Sequence, residues 1–265
     1  MAGLPYIDVP QRIGPISTFG VLVVVGIVFG TWLARRYARD SGLDQESLSW
    51  LGPRLIGWGF AGAFIIDAVV YEWDRLLVEP WSVITAFGIS SYGAGIGGAA
   101  AFLYYTRRRG LDRRRWADML AVGAAGGWLF GRIGCAVVHD HLGRTTDFPL
   151  GVNVPPGRYP FALEPHVIRA HDLGLYEAAL WIALLAALLL LARWKGRRPG
   201  FLMGFLAVAY SVPRFLFEFL RLPASDPRYA GLTFAQWASI GALLIGLWLL
   251  LTPGRAAPDP SPAAI

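Results

Sequence analysis

The sequence has 265 residues, of which 55% are hydrophobic and 16% charged, and its mean hydropathy is +0.47. Because water-soluble domains carry roughly 25% charged residues, this composition excludes an ordinary soluble domain. The net charge of +6 would suit a nucleic-acid ligand, but the basic residues are distributed as in a membrane protein, and we expect no nucleic-acid partner. The single cysteine, Cys135, excludes an internal disulfide framework.

Seven apolar stretches are each long enough to cross a bilayer, which takes about 20 residues. Since backbone groups in the apolar phase must bond internally, these stretches should be helices. The first is not expected to be a cleavable signal, because it is long and leads directly into Arg35 and Arg36. The predicted fold is an all-α polytopic integral membrane protein with about seven transmembrane helices in one domain, residues 1–251. The spans are roughly 15–34, 51–72, 81–105, 117–139, 173–192, 201–221 and 232–251.

The basic residues predict the orientation of these spans. Segments 35–54, 106–116 and 193–199, together with the C-terminal tail, would all face one side of the membrane. They carry 15 of the 24 lysines and arginines, and the opposite side carries six. The positive-inside rule therefore predicts an external N-terminus and a cytoplasmic C-terminus.

Small residues and prolines characterise other segments. The pairs Gly93-xxx-Gly97 and Gly127-xxx-Gly131 predict close helix packing. The fifth span is almost uniformly apolar, so we expect it to face lipid. The external loop 140–172 contains five prolines, which predicts an irregular chain with at most a short helix. Residues 252–265 predict a disordered cytoplasmic tail.

Charged side chains recur in the outer half of the membrane. Arg132 and Arg214 both lie roughly 10 Å below the outer surface at about 1.5 Å per residue, Glu218 follows Arg214 at i+4, and Arg221 reaches the interface. Charges inside spans are costly and indicate function. The alternatives are a snorkelling or paired Arg132, with Asp67 as its counter-ion, and a structural Arg214–Glu218 pair. A guanidinium presents a donor fork that matches phosphate, so the set also predicts a site for an anionic phospholipid.

All four histidines lie at or in the external loop, which suggests either metal ligands or proton acceptors at the membrane surface. Their spacing matches no fixed metal motif, so we expect no metal and no cofactor. They are His139, His141, His166 and His171.

Five short sequence motifs follow one another along the chain in the same order as the motifs of a known protein family. They are Ser90–Gly97, Gly131–Arg144, His171–Glu177, Pro213–Asp226 and Thr233–Trp237. The second resembles a Gly-Arg-Ile/Leu-Gly-Asn/Cys run that leads through an acidic residue to a glycine, with Asp140 and Gly143 at the last two positions. The third resembles His-Pro-Ser-Gln-Leu-Tyr-Glu, and the fourth resembles Arg-x-x-x-Glu-Phe-x-Arg-x-Pro-Asp. Together these stretches resemble the bacterial prolipoprotein diacylglyceryl transferases.

The resemblance implies an activity and its partners. Members of that family have seven helices with an external N-terminus, in the bacterial cytoplasmic (inner) membrane. They transfer the diacylglyceryl group of phosphatidylglycerol to the lipobox cysteine of preprolipoproteins, which present it on their signal peptides, and glycerol phosphate leaves. Arg132 and Arg214 would bind the phosphate, assisted by Gly143 and Arg221. Glu218 would orient Arg214, and Asp140 would support the loop over the site.

Several family positions differ in this sequence. The histidine of the family's Ser-Phe-His-Gly-Gly segment is Tyr92 here. Tyr92 is therefore interpreted as a hydrogen-bonding helper, and His139 or His141 as the proton acceptor for the thiol. The other departures are Phe19 for a tyrosine, Phe64 for an arginine, Val138 for an asparagine and Gly174 for a glutamine.

Two further hypotheses remain at this point. One is a non-enzymatic phospholipid-binding or translocating protein on the same fold, since a fold does not fix a function. The other is a metal-dependent enzyme or transporter that uses the histidines. A lipidated thiol product, lipid binding without product, and protein-bound metal would distinguish the three.

Overall fold

The computed structural model describes residues 3–86, 88, 90–158, 160–222, 226 and 228–252. The predicted tail therefore lies almost wholly outside the described residues. The described chain divides into two compact units, one of residues 3–37 and 117–252 and the other of residues 38–116. Each is described by itself below.

The chain is mostly helical, with short strands in the segments before and between the long helices. The helices are α1 Thr18–Asp40, α2 Gln45–Ile66, α3 Trp73–Val78, α4 Pro80–Ala86, α5 Ser91–Arg108, α6 Arg113–Val138, α7 Leu173–Ala192, α8 Phe201–Phe217 and α9 Phe234–Leu251. A π-helical turn, Asp67–Tyr71, extends α2, and a 3₁₀ turn, Glu218–Leu220, extends α8. The strands are β1 Leu4–Pro5, β2 Arg12–Ile13, β3 Ile16–Ser17, β4 Leu142–Thr145, β5 Val152–Val154, β6 Ile168–Asp172, β7 Arg228–Tyr229 and β8 Leu232–Thr233.

Among the described residues, six helices are long and apolar enough to cross a membrane, namely α1, α2, α6, α7, α8 and α9. The protein is thus a polytopic membrane protein. The third predicted span, 81–105, is divided between α4 and α5. Ser90 is the N-cap of α5, and its hydroxyl accepts a hydrogen bond from the Gly93 N–H, so a separate helix begins at Ser91. The count of seven spans stays a prediction.

In the first unit, glycines bring α1 against α6. A Cβ atom on Gly30 would lie 2.5 Å from the Gly123 carbonyl oxygen, and one on Gly26 would lie 2.7 Å from the Gly127 carbonyl oxygen. The close-packing prediction is therefore correct for Gly127. It is wrong for Gly131, where a Cβ atom would meet nothing within 4 Å, so the close crossing uses Gly123 in its place.

In the second unit, α2 and α5 cross at glycines, as predicted. A Cβ atom on Gly93 would lie 2.2 Å from the Gly62 carbonyl oxygen, and one on Gly97 would lie 2.2 Å from the Trp58 carbonyl oxygen. Any larger side chain at either position would force the helices apart.

The prediction that the fifth span faces lipid is wrong for one of its faces. Eight α7 residues are buried, at spacings that keep them on one side of the helix. They are Leu173, Gly174, Glu177, Ala178, Trp181, Leu184, Leu185 and Leu188. Uniform apolarity did not reveal this face, because lipid and protein neighbours both accept leucine.

The loop 140–172 is more regular than predicted, so the all-α prediction fails here. β4, β5 and β6 form a sheet with the N-terminal β1 in the order β1-β5-β6-β4, and β1 runs parallel to β5. The five prolines lie between the strands, where no ladder hydrogen bond is needed. Leu142, Val154 and Ala170 form the small core of this sheet, with Tyr6 and Phe161 packed against it.

Candidate active site

A continuous chain of ion pairs lies in the first unit, where α6, α7 and α8 meet. Arg132 Nε is 3.1 Å from Glu177 Oε2, and Arg214 Nε is 3.7 Å from Glu177 Oε1. Arg214 Nη1 also donates to Glu218 Oε2 at 2.7 Å, which confirms the i+4 pair. Glu177 and Glu218 are each 2% exposed, so Glu177 is a buried carboxylate shared by two arginines on different helices.

Two further side chains complete this buried cluster. The Tyr210 hydroxyl donates to Glu177 Oε2 at 2.9 Å, and Arg132 Nη1 approaches Cys135 Sγ at 3.9 Å. Within the described residues of this unit, the Nε and Nη1 groups of Arg132 are thus occupied, while Nη2 has donors to offer. A guanidinium carries five N–H donors, so the arrangement can bind a further anionic oxygen.

The cluster continues to the partly exposed side chain of Arg221. Its Nη2 lies 3.0 Å from Asp226 Oδ2 and its Nε lies 3.9 Å from Glu218 Oε1. Its backbone carbonyl accepts a hydrogen bond from Arg144 Nε at 3.0 Å. Gly143 is buried at this point, and a Cβ atom on it would lie 2.3 Å from the Leu220 carbonyl oxygen. Gly143 therefore allows β4 to contact the end of α8.

The charges of the three arginines are balanced by carboxylates. Arg132, Arg214 and Arg221 each contact at least one carboxylate, and the three arginines match Glu177, Glu218 and Asp226 in number. Such pairing lowers the cost of burying the charges and fixes the guanidinium planes. The arginines are preorganised donors in a neutral network rather than an exposed cationic patch.

Asp140 and His141 form a second polar pair beside this cluster. His141 Nδ1 is hydrogen-bonded to Asp140 Oδ1. Together with Cys135, these residues offer three possible metal-ligand atoms that lie within 4.8 Å of one another. These three residue types can bind zinc, but the Arg132 guanidinium next to Cys135 would oppose a bound cation. The same geometry suits an imidazole oriented by a carboxylate.

The His139 ring has a partner at each nitrogen and a stacked aromatic ring. Its Nδ1 lies 2.6 Å from Asp172 Oδ2, and its Nε2 lies 3.2 Å from the Ile7 carbonyl oxygen. Tyr6 stacks on its ring with centroids 4.1 Å apart, and burial raises the pKa of the Tyr6 phenol. Because a carbonyl oxygen only accepts, Nε2 must carry a hydrogen, and neither ring nitrogen is available to take a proton from a substrate.

The remaining predicted residues are Tyr92, His166 and His171. Tyr92 is the second residue of α5 and belongs to the second unit. His166 is exposed, and His171 Nδ1 is 3.0 Å from the Tyr176 hydroxyl. Burial lowers the pKa of His171, which keeps its imidazole neutral at pH 7.

Glu177 and Tyr210 were missed as site residues by the sequence analysis. Glu177 is the one carboxylate within α7, and a carboxylate in a span is a functional signal in itself. It was noted only as part of a motif, since the span was interpreted as apolar. Tyr210 lies one turn before Arg214 on α8, so the two side chains share a face.

The sequence model of the family described as "Prolipoprotein diacylglyceryl transferase" matches residues 9–252. A relative from Gloeobacter violaceus is 33% identical over 248 residues, covering 88% of this chain and 87% of its own length. One from Roseobacter denitrificans is 30% identical over 294 residues, covering 97% and 99%, and one from Mannheimia succiniciproducens is 32% identical, covering 90% and 87%. All three are named phosphatidylglycerol–prolipoprotein diacylglyceryl transferase.

Proposed function

The chain belongs to the prolipoprotein diacylglyceryl transferase family, and on that premise we propose that it transfers the diacylglyceryl group of phosphatidylglycerol to the lipobox cysteine of preprolipoproteins. The observation that carries the proposal is the buried network in which Arg132 and Arg214 share Glu177. It presents fixed guanidinium donors on membrane-spanning helices, where a phospholipid phosphate can reach them.

The reaction exchanges one bond at the glycerol carbon of the lipid. The substrate thiolate attacks the carbon that carries the phosphate, the C–S bond forms, and the C–O bond to phosphate breaks. Glycerol phosphate leaves with the electron pair, and the thiol proton passes to a base. Negative charge therefore grows on the phosphate oxygen as the bond breaks, and that is where preorganised donors lower the barrier.

The arginines are assigned to this phosphate. Arg132 and Arg214 donate to its oxygens, and Glu177 and Glu218 hold both guanidiniums in place while neutralising their charge in the ground state. A network that is neutral before the reaction does not over-stabilise the bound lipid, so its hydrogen bonds strengthen mainly as charge develops. Arg221 and Gly143 form the outer boundary of the site, where the headgroup would lie.

We assign His141 as the proton acceptor. With Nδ1 engaged by Asp140, the imidazole can present Nε2 to a thiol, and it lies beside Cys135, the neighbour of Arg132. His139 is reassigned to a supporting role because both of its nitrogens are engaged. A free thiol with pKa about 8.5 is already a few per cent thiolate at neutral pH, so one histidine suffices.

Tyr92 is assigned a helper role only, since a phenol with pKa about 10 is a poor base at neutral pH. We expect Tyr92→Phe to lower kcat/KM by about 10-fold or less, and His141→Asn to lower it by about 10²-fold, as for loss of a general base. Transfer to a lipobox peptide, measured by mass spectrometry, checks both. A loss of about 10³-fold in a folded Tyr92→Phe variant would instead make the phenol essential.

The proposed topology has seven spans, α5 being the third, with the N-terminus outside and the site facing the outer leaflet of the cytoplasmic membrane. Signal peptides of preprolipoproteins would present their cysteine at this surface. Reporter fusions after Arg115 and Arg198 should report cytoplasm, and a fusion at Gly157 should report the outside. A cytoplasmic signal at Gly157 would overturn this topology.

The decisive experiment is complementation of a bacterial strain depleted of its own transferase, with the lipidated product identified by mass spectrometry. Growth with a thioether-linked diacylglyceryl product supports the proposal. Phosphatidylglycerol binding without product would favour the alternative, a lipid-binding or translocating protein on this fold.

A further inference from the structure

His139 adopts a backbone conformation that side-chain-bearing residues rarely use. It follows α6 directly with φ of 51°, in the left-handed region. Non-glycine residues in this region persist where their surroundings hold them, and they cluster at functional sites. The proposed function gives this residue only a supporting role and does not explain its conformation.

Two separate parts of the first unit converge on the His139 side chain. Asp172, the N-cap of α7, binds Nδ1, and the N-terminal segment supplies the Ile7 carbonyl oxygen and the stacked Tyr6 ring. Asp172 is fully buried, and its second oxygen accepts from the Leu175 N–H at 3.1 Å. The aspartate thus caps α7 and binds the residue that ends α6 at the same time.

This contact and the Arg132–Glu177 pair form two links between the same helices. His139 follows Arg132 by seven residues, or two turns, and Asp172 precedes Glu177 by five. Between the two links the helix backbones touch. A Cβ atom on Gly174 would lie 2.7 Å from the Ala136 N atom and 2.8 Å from the Cys135 carbonyl carbon.

Gly174 has no side chain that could adjust its position. A shift of α6 against α7 at the His139–Asp172 contact would therefore also move the Arg132–Glu177 pair. Close-packed interiors transmit strain in this way because they hold few voids.

We propose that His139 and Asp172 are positioning residues that fix α6 against α7 and the N-terminal strand, and so hold the Arg132 guanidinium in its catalytic orientation on Glu177. The proposal rests on the proposed function, in which Arg132 binds the lipid phosphate. Neither residue touches substrate. The N-terminal segment, joined to β5 through Leu4 and Val152, supports the pair from outside.

Asp172→Ser is the sharpest test. Serine is as good an N-cap as aspartate, so the Leu175 hydrogen bond is kept, while the shorter side chain has no second oxygen for His139 Nδ1. We expect kcat to fall about 10-fold, with KM for the lipobox peptide changing less than twofold, because a displaced Arg132 weakens transition-state contacts. His139→Gly, which fits the left-handed backbone, should behave alike. His166→Asn, at an exposed histidine of the same loop, is the matched control and should match wild type.

A double-mutant cycle with Arg132→Lys separates positioning from general stability. Lysine lacks the fork that needs orienting, so Asp172→Ser should reduce kcat by less than twofold in that background. If the losses in kcat of the two single variants multiply in the double variant, the inference is overturned and the transferase assignment stays intact. A wild-type kcat in both the Asp172 variant and His139→Gly would overturn it in the same way.

A wild-type protein with no transferase activity would overturn the proposed function instead. The inference is then decided by the rise in Tm on adding phosphatidylglycerol micelles, which should be lost in Asp172→Ser and retained in His166→Asn. Equal rises in both variants would overturn it.

Discussion

Replacing either core arginine by alanine should lower turnover by about 10²-fold or more, because removal of one donor to a developing oxyanion typically costs roughly 3 kcal/mol. The side chains of Arg132 and Arg214 are 11% and 7% exposed and both bind Glu177, so each guanidinium has a fixed orientation in which it could bind the lipid phosphate of the proposed reaction. Arg132→Lys and Arg214→Lys should recover little, since an ammonium group cannot supply two parallel donors.

The measurement is transfer from phosphatidylglycerol to a lipobox peptide by purified protein in lipid. Arg228→Ala is the matched control: Arg228 is an exposed arginine of the same unit whose Nη1 donates to the Gly231 carbonyl oxygen. It should retain wild-type turnover. If Arg132→Ala or Arg214→Ala also retained it, that arginine would have no part in the mechanism.

The helices could be predicted from the sequence because length and apolarity determine them. The ends of α7 match the predicted span at 173–192, and α6, predicted at 117–139, spans Arg113–Val138. The break between α4 and α5 escaped prediction, since an N-cap serine inside an apolar run changes hydropathy little. The sheet of β1, β5, β6 and β4 escaped prediction because some of its strands pair over long sequence distances, with the six helices α1 to α6 lying between β1 and β5.

The site was predictable only where its contacts are local. Arg214 and Glu218 lie four residues apart on one helix, and their ion pair follows from helical periodicity alone. Contacts of Glu177 with α6 and α8 depend on which face of α7 is buried. The almost uniformly apolar sequence of α7 does not reveal that face. Gly174 does mark it, because a glycine there permits the close backbone contact with α6. His139 was interpreted as a base for the same reason, because its partners Ile7 and Asp172 are distant in sequence.

Removing Glu177 should have the largest effect on stability. Its carboxylate lies between Arg132 and Arg214 and also accepts from the Tyr210 hydroxyl. Glu177→Ala would leave two buried guanidiniums without their shared counter-ion, and breaking a buried ion pair from one side costs about 3–5 kcal/mol. For a chain of this size that corresponds to a fall in Tm of roughly 10 °C. The control is Glu164→Ala, at an exposed glutamate of the external loop.

The Arg132→Gln/Glu177→Gln double variant tests whether charge balance explains this loss. It removes one charge of each sign and keeps an acceptor for Tyr210, so its Tm should rise above that of Glu177→Ala toward wild type. Its transferase activity should stay as low as that of Arg132→Ala, because the phosphate donor is still missing. Stability and activity would then separate: Glu177 stabilises the network and Arg132 acts on the lipid. If Glu177→Ala melted at the same temperature as Glu164→Ala, the two arginines would not depend on this carboxylate, and Glu177 would not be the centre of the site.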